Sequence, residues 1–195
     1  MEHIHQVRST GVGPILVLPH LGGWEWAAAW LTQVADLKVS AVVEKLEPPE
    51  LLDWFAQLRQ AYDVEVIPLG TNAMARLVRS VKAADVVCLL ADRDLAGNGV
   101  EVEFFGERTS LPVGPALLSR RTGAPLLPTA VYFRGSDHVA EVGKPIWPEW
   151  GSDLRTDLAE VTQQLAYHLE RLIRAAPDQW HLLAPNWPSD LNLMA

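Results

Sequence analysis

The sequence predicts an α/β layered domain with a largely parallel central sheet flanked by helices. Two observations carry that prediction. Short β-branched runs alternate with segments of helical periodicity along the whole chain. The most apolar run, from Asp85 to Leu90, has the unbroken hydrophobicity of a central parallel strand covered on both faces. In such sheets ligands bind beyond the carboxyl ends of the strands, so a site is sought there.

The elements follow in order. Ile15 to Leu18 reads as a first strand, ended by Pro19, and Trp24 to Val34 as a helix. A strand from Lys38 to Val43 precedes a helix opened by Pro48-Pro49, where proline suits a first turn. That helix has Leu51, Phe55, Leu58 and Tyr62 on one face. Val64 to Ile67 is a third strand, and Thr71 or Asn72 can cap a helix carrying Leu77, Val78 and Val81. After the central strand, the Gly-rich loop Leu95 to Gly99 leads to a short strand, Val100 to Phe104. A helix at Gly114 to Arg121 follows, then a strand from Ala124 to Phe133 interrupted by Pro128, and an edge strand at Val139 to Val142. The last long helix runs from Leu154 to Ala176 with a stripe of Leu154, Leu158, Val161, Leu165, Leu169 and Leu172, and Pro177 stops it.

Composition bounds the function. At 195 residues a single domain spanning 1–195 is expected, burying about 70% of its extended-chain surface without disulfide staples. With 49% hydrophobic and 21% charged residues the chain is globular rather than disordered. Sixteen basic against 24 acidic residues leave a net charge of -8, which argues against nucleic acid as a partner. The single cysteine, Cys88, forbids an internal disulfide and a multi-cysteine zinc cage, and its apolar run reads as a buried thiol. No stretch approaches the roughly 18 apolar residues of a membrane-spanning helix. The opening residues lack the layout of a signal peptide.

Three constellations stand at strand ends. After the first strand comes Pro19-His20-Leu21-Gly22-Gly23-Trp24-Glu25. Two glycines permit a sharp turn, and Glu25 arrives in the next helix's first turn, where it can reach the imidazole and fix its tautomer. The same spacing also suits a partly buried histidine with Glu25 complementing the helix dipole. After the central strand stands Ala91-Asp92-Arg93-Asp94, charges that must be exposed in a cleft or paired. Asp92 reaches His20 if the two strands are neighbours, and Arg93 offers a fork for phosphate or braces the loop. The third constellation, Phe104-Phe105-Gly106-Glu107-Arg108-Thr109-Ser110, precedes a helix N-terminus at Gly114 that can stabilise an anion. An ordinary loop and cap fits it as well.

Taken in order, His-x4-Glu, the Asp92-Arg93-Asp94 turn, Phe104-Phe105-Gly106-Glu107 through Pro112-Val113-Gly114-Pro115, and Asp178-Gln179-Trp180-His181 resemble the lysophospholipid acyltransferase superfamily. The nearest branch is the bacterial lipid A acyltransferase-like one, and within it the actinobacterial phosphatidylinositol mannoside acyltransferases. The similarity runs from about Gly11 to Leu191. It departs at Gly23, Glu25 and Asp92, where that subgroup has Asn, Asp and Glu.

The resemblance implies a glycerol-3-phosphate acyltransferase-like fold and transfer of a fatty acyl group from acyl-CoA, a co-substrate rather than a cofactor, to a hydroxyl of a membrane glycolipid. His20 would be the general base, with Asp92 as its direct carboxylate partner and Glu25 in support. Arg59, Arg93, Glu107, Arg108 and Thr109 would bind substrate; no metal is expected. The protein would sit peripherally on the cytoplasmic face of the plasma membrane. Members of the family carry a helical segment before the first strand, and this chain begins just ahead of that strand. Trp24, Trp26, Trp30 and Trp54 suit an acyl groove or an interfacial edge as well as core packing. Trp147, Trp150, Trp180 and Trp187 acquire no role.

Other classes fit less well. A dinucleotide fingerprint requires G-x-G-x-x-G after the first strand, and Gly11-Val12-Gly13 lies before it. A metal hydrolase built on His3, His5, His20 and Asp92 would draw on an unanchored N-terminus. A catalytically silent lipid-binding relative and an acyltransferase acting on another acceptor, such as a lipid A precursor, remain alternatives.

Overall fold

The computed structural model describes residues 1–43, 55, 57–94 and 97–193, the last three through their backbone only. The helix start at Pro48-Pro49 with Leu51, Trp54, and Leu95 of the Gly-rich loop lie outside the described residues. Residues 57–61 are helical.

Among the described residues six strands form the central sheet, in the order β3-β2-β4-β1-β7-β8. They are β1 (Ile15–Leu18), β2 (Val39–Val43), β3 (Val64–Pro68), β4 (Val86–Leu90), β7 (Leu126–Arg134) and β8 (Asp137–Val142). All neighbours are parallel except β8, which runs antiparallel to β7 at the edge. The expected layered α/β architecture is therefore present, with the apolar run of β4 between β2 and β1.

Alternation along the strands builds two cores. In β1, Ile15 and Val17 join the face covered by α3 (Ala73–Lys82), α4 (Gly114–Thr122) and α5 (Leu154–Arg174). Leu16 and Leu18 join the opposite face, covered by α1 (Glu2–Arg8) and α2 (Trp24–Gln33). Asp153 caps α5 by accepting the Thr156 N–H at 2.9 Å. Of the leucine stripe, Leu154 at the helix start is exposed, whereas Val161, Leu165, Leu169 and Leu172 are buried.

Three local features differ from the expectations of the sequence. The N-terminus is anchored, not loose: Ile4 and Val7 of α1 are buried, and the Arg8 Nε–H donates to the Ala84 carbonyl at 2.9 Å. Residues expected in a loop form β6 (Glu107–Leu111), antiparallel to β5 (Val100–Phe104) in a separate hairpin. A two-residue turn, Phe105-Gly106, with both residues at positive φ, closes it. Pro128 does not interrupt β7. Its carbonyl accepts from Gly143 on the β8 side, just past the last β7–β8 pair, Thr129 with Val142. The missing N–H thus faces a place where no ladder runs.

Candidate active site

The site follows from strand register. Leu18 of β1 pairs with Leu90 of β4, and the Ala91 N–H donates to the Leu18 carbonyl at 2.9 Å. Two residues further, both chains leave the sheet at the same height, and His20 meets Asp92. The His20 Nδ1 lies 2.6 Å from Asp92 Oδ1, and the His20 backbone N–H donates to Oδ2 at 2.9 Å. Gly22, at φ +58°, turns the chain back toward α2. A Cβ there would stand 2.0 Å from the Val131 carbonyl oxygen, so only glycine fits.

Asp92 is fully buried. Burial alone would raise its carboxyl pKa. The hydrogen bond and charge of His20, the Trp180 indole N–H and the His20 backbone N–H together outweigh burial and hold it below the usual carboxylate range. An ionised carboxylate only accepts, so Nδ1 of His20 carries the shared hydrogen, which in the neutral imidazole makes Nε2 the acceptor. His20's side chain is 14% exposed, whereas Asp92's is wholly buried.

Glu25 bonds elsewhere. Both of its carboxylate oxygens accept from Arg59, through Nε at 3.1 Å and through Nη2. The guanidinium lies over the rings of Trp24 and Phe55, 5.5 and 5.3 Å from their centroids. Trp24 in turn meets the His20 imidazole in a T-shaped arrangement, centroids 6.5 Å apart. Glu25 thus reaches the histidine's surroundings through Arg59 and Trp24, while the direct partner of His20 is Asp92.

An apolar groove of about 790 Å³ opens on the α2 face of the sheet, and Trp24, whose ring meets the His20 imidazole, forms part of its wall. It runs along α2 between Trp24 and Val34, over Leu16 and Leu18 of β1 and Cys88 of β4, with the β7–β8 hairpin as its far wall. The three alanines Ala27, Ala28 and Ala29 leave it open. Burial, and secondly the charge of Glu25, push the Cys88 thiol up to about 12, so it stays protonated at neutral pH.

The segment after α5 straps the site from the other side. Gly22 N–H donates to the Gln179 carbonyl at 2.9 Å and His181 N–H to the His20 carbonyl at 2.7 Å. The Trp180 indole N–H donates to Asp92 Oδ2 at 2.8 Å, and the Asn186 amide to the Asp92 carbonyl at 3.1 Å. Among the described residues, no group of three or more His, Cys, Asp or Glu side chains is arranged to hold a metal ion.

This strand-end His–Asp pair stands within a chain whose residues 1–189 match the model of the bacterial lipid A biosynthesis acyltransferase family. The chain belongs to that family. It is 38% identical over 195 residues to the phosphatidylinositol mannoside acyltransferase of Mycobacterium tuberculosis, covering 98% of this chain and 60% of that protein. It is 36% identical to the phosphatidylinositol mannoside acyltransferase of Mycolicibacterium smegmatis, covering 98% and 62%. The chain therefore spans about three-fifths of the length of these curated relatives. The likeness drawn from the ordered motifs is shown by these matches.

Within this lipid A acyltransferase-family chain the remaining candidate residues are spread out. Arg93 follows Asp92 and is half-buried. Asp94 accepts from the Gly97 and Gly99 N–H groups and the Ser110 hydroxyl, holding the loop that leads into β5. Glu107, Arg108 and Thr109 stand on β6, where their bonds go to the hairpin and the C-terminal segment rather than to His20. Glu107 accepts from Ser189, Thr109 donates to the Asn186 carbonyl, and Arg108 forms an exposed pair with Glu101.

Trp180 and Asn186 are site neighbours to which the sequence alone assigns no role. The one signal was Trp180 itself, a polar-tipped aromatic within a motif of the resemblance. Its partner lies 88 positions away, which no local spacing reveals.

Proposed function

We propose that the chain is an acyltransferase that moves a fatty acyl group from acyl-CoA to a hydroxyl of a membrane glycolipid of the phosphatidylinositol mannoside type. The observation that carries this reading is the His20–Asp92 pair, with an apolar groove walled in part by Leu18 and Trp24 next to it in the chain, in a member of this family. Nε2 of His20 takes the acceptor's hydroxyl proton as that oxygen attacks the thioester carbonyl. Asp92 holds the tautomer and stabilises the imidazolium. Collapse of the tetrahedral adduct breaks the C–S bond, and the imidazolium returns the proton to the departing thiolate. No covalent enzyme intermediate is needed.

The groove supports an acyl-chain role by size and lining: it falls within the roughly 300–1,000 Å³ of small-molecule sites and is walled mainly by apolar side chains. Arg59 uses two of a guanidinium's five N–H donors on Glu25, and its planar fork suits the acceptor's phosphate or sugar oxygens. Arg93, Glu107, Arg108 and Thr109 serve the polar parts of the substrates, reached from the hairpin side.

We place the protein peripherally on the cytoplasmic membrane face. Among the described residues no helix is long and apolar enough to cross a membrane. Trp26, Trp30 and Val34 line the groove yet are exposed, as suits an interfacial edge.

Single-turnover transfer of label from radiolabelled palmitoyl-CoA to phosphatidylinositol mannosides tests the reading. The wild-type chain transfers label, and His20→Ala loses about two to four orders of magnitude. Transfer by His20→Ala at the wild-type rate would overturn the base assignment. A folded chain that holds acyl-CoA without turnover would be a lipid-binding relative instead. Transfer to a lipid A precursor but not to the mannosides would reassign the acceptor.

A further inference from the structure

We propose that Trp180 is a positioning residue for the His20–Asp92 pair, holding Asp92 Oδ2 so that Oδ1 stays aimed at Nδ1 of His20. The proposal rests on the reading of His20 as the base. The fully buried Asp92 carboxylate accepts from His20 Nδ1–H on Oδ1, and from the His20 backbone N–H and the Trp180 indole N–H on Oδ2. With two bonds on Oδ2, rotation of the carboxylate about its Cβ–Cγ bond would break at least one of them. An indole N–H donates and never accepts, so this contact favours the ionised, acceptor-only form.

The indole is itself fixed. It stacks on Phe105 with centroids 5.6 Å apart, and meets Phe104 and Trp187 edge-on at 6.2 and 6.1 Å. Its backbone bridges Leu21, between the Gly22–Gln179 and His20–His181 hydrogen bonds. One short segment therefore grips both partners, His20 through the main chain and Asp92 through a side chain. Trp187 provides an internal comparison. It belongs to the same aromatic cluster, but its indole N–H goes to the Phe104 carbonyl at 2.9 Å, not to Asp92.

The experiment uses three proteins beside the wild type: Trp180→Phe, Trp187→Phe, and a chain with 3-benzothienylalanine at position 180, which replaces the N–H by sulfur at nearly unchanged shape. Single-turnover and steady-state transfer from palmitoyl-CoA to phosphatidylinositol mannosides gives kcat and KM. Proton NMR follows the low-field Nδ1–H resonance of His20, assigned by its loss in His20→Ala. Both position-180 replacements should lower kcat roughly tenfold to a hundredfold, the range for hydrogen bonds to charged groups, with KM unchanged and the resonance shifted or broadened. Trp187→Phe, which keeps a ring in the cluster and removes no donor from Asp92, should change both far less than either position-180 replacement, and an equal effect would make the cluster's packing the cause. If the benzothienyl chain keeps wild-type kcat and resonance, Trp180 acts by packing alone and the proposal fails, whatever Trp180→Phe does to folding. If His20→Ala retains transfer, the base reading fails instead, and the resonance still reports whether Trp180 holds the pair.

Discussion

His20 and Asp92 stand 2.6 Å apart because β1 and β4 are adjacent, parallel and in a register that pairs Leu18 with Leu90. Neither residue is placed by a long loop. Each follows its strand by two residues, so the rigidity of the sheet is passed directly to the pair. Asp92→Asn tests what that rigidity supplies. The amide keeps the volume, but no longer stabilises an imidazolium or selects the tautomer with Nε2 free. Transfer is expected to fall by about two to four orders of magnitude with the fold retained by circular dichroism, and a loss below tenfold would count against the pair.

The same substitution has a signature in stability. Asp92's carboxyl is held below its usual value in the folded chain, so the unfolded chain binds more protons in the window between the two values. The stabilisation is complete above about pH 4 and is lost as pH falls through the lowered folded value. Melting temperatures of the wild type should therefore drop on acidification below about pH 4 more steeply than those of Asp92→Asn. Parallel curves would show that Asp92 contributes nothing to the acid limb.

The Glu25–Arg59 bridge predicts a mixed phenotype. Glu25 is 26% and Arg59 10% exposed at the side chain, so loss of one partner leaves the other poorly solvated. Glu25→Gln should cost about 1–3 kcal/mol in urea denaturation. Arg59→Lys retains the charge but loses the fork and the flat contact with Trp24, and should raise KM for the acceptor more than it lowers kcat. An unchanged acceptor KM would remove Arg59 from the binding surface.

Filling the groove separates chain recognition from chemistry. Ala27 lines it from α2, and Ala27→Phe places a ring where the acyl chain is proposed to lie. Each methylene excluded from burial costs about 0.8 kcal/mol, so kcat/KM for palmitoyl-CoA should fall severalfold or more while that for a short acyl-CoA holds. Equal losses for both donors would place the acyl chain elsewhere.

Much of the architecture is legible in the chain because it rests on local periodicity. The apolar run Val86 to Leu90 marks the central strand, helix periods mark α2, α3 and α5, and strand ends mark His20 and Asp92 as candidates. Three features escape local patterning because contacts between distant segments create them. Glu107 to Leu111 lacks strand-like hydrophobicity and is a strand because β5 lies beside it. The first residues form a helix because Ile4 and Val7 find the sheet's second core. Pro128 is tolerated because β8's ladder stops beside it.

The sequence by itself determined the fold class, the family and the residues able to do proton chemistry, since each is written in composition, period and ordered motifs. Only the tertiary structure decided how those residues pair. Both carboxylates were within reach of His20 on paper, and the choice fell to strand order, which set Asp92 beside the imidazole and left Glu25 to Arg59. A further donor to Asp92 comes from Trp180, after the last long helix. Hydrogen bonds between distant segments depend on distance in space, and the folded sheet is what converts 72 or 88 positions of chain into less than 3 Å.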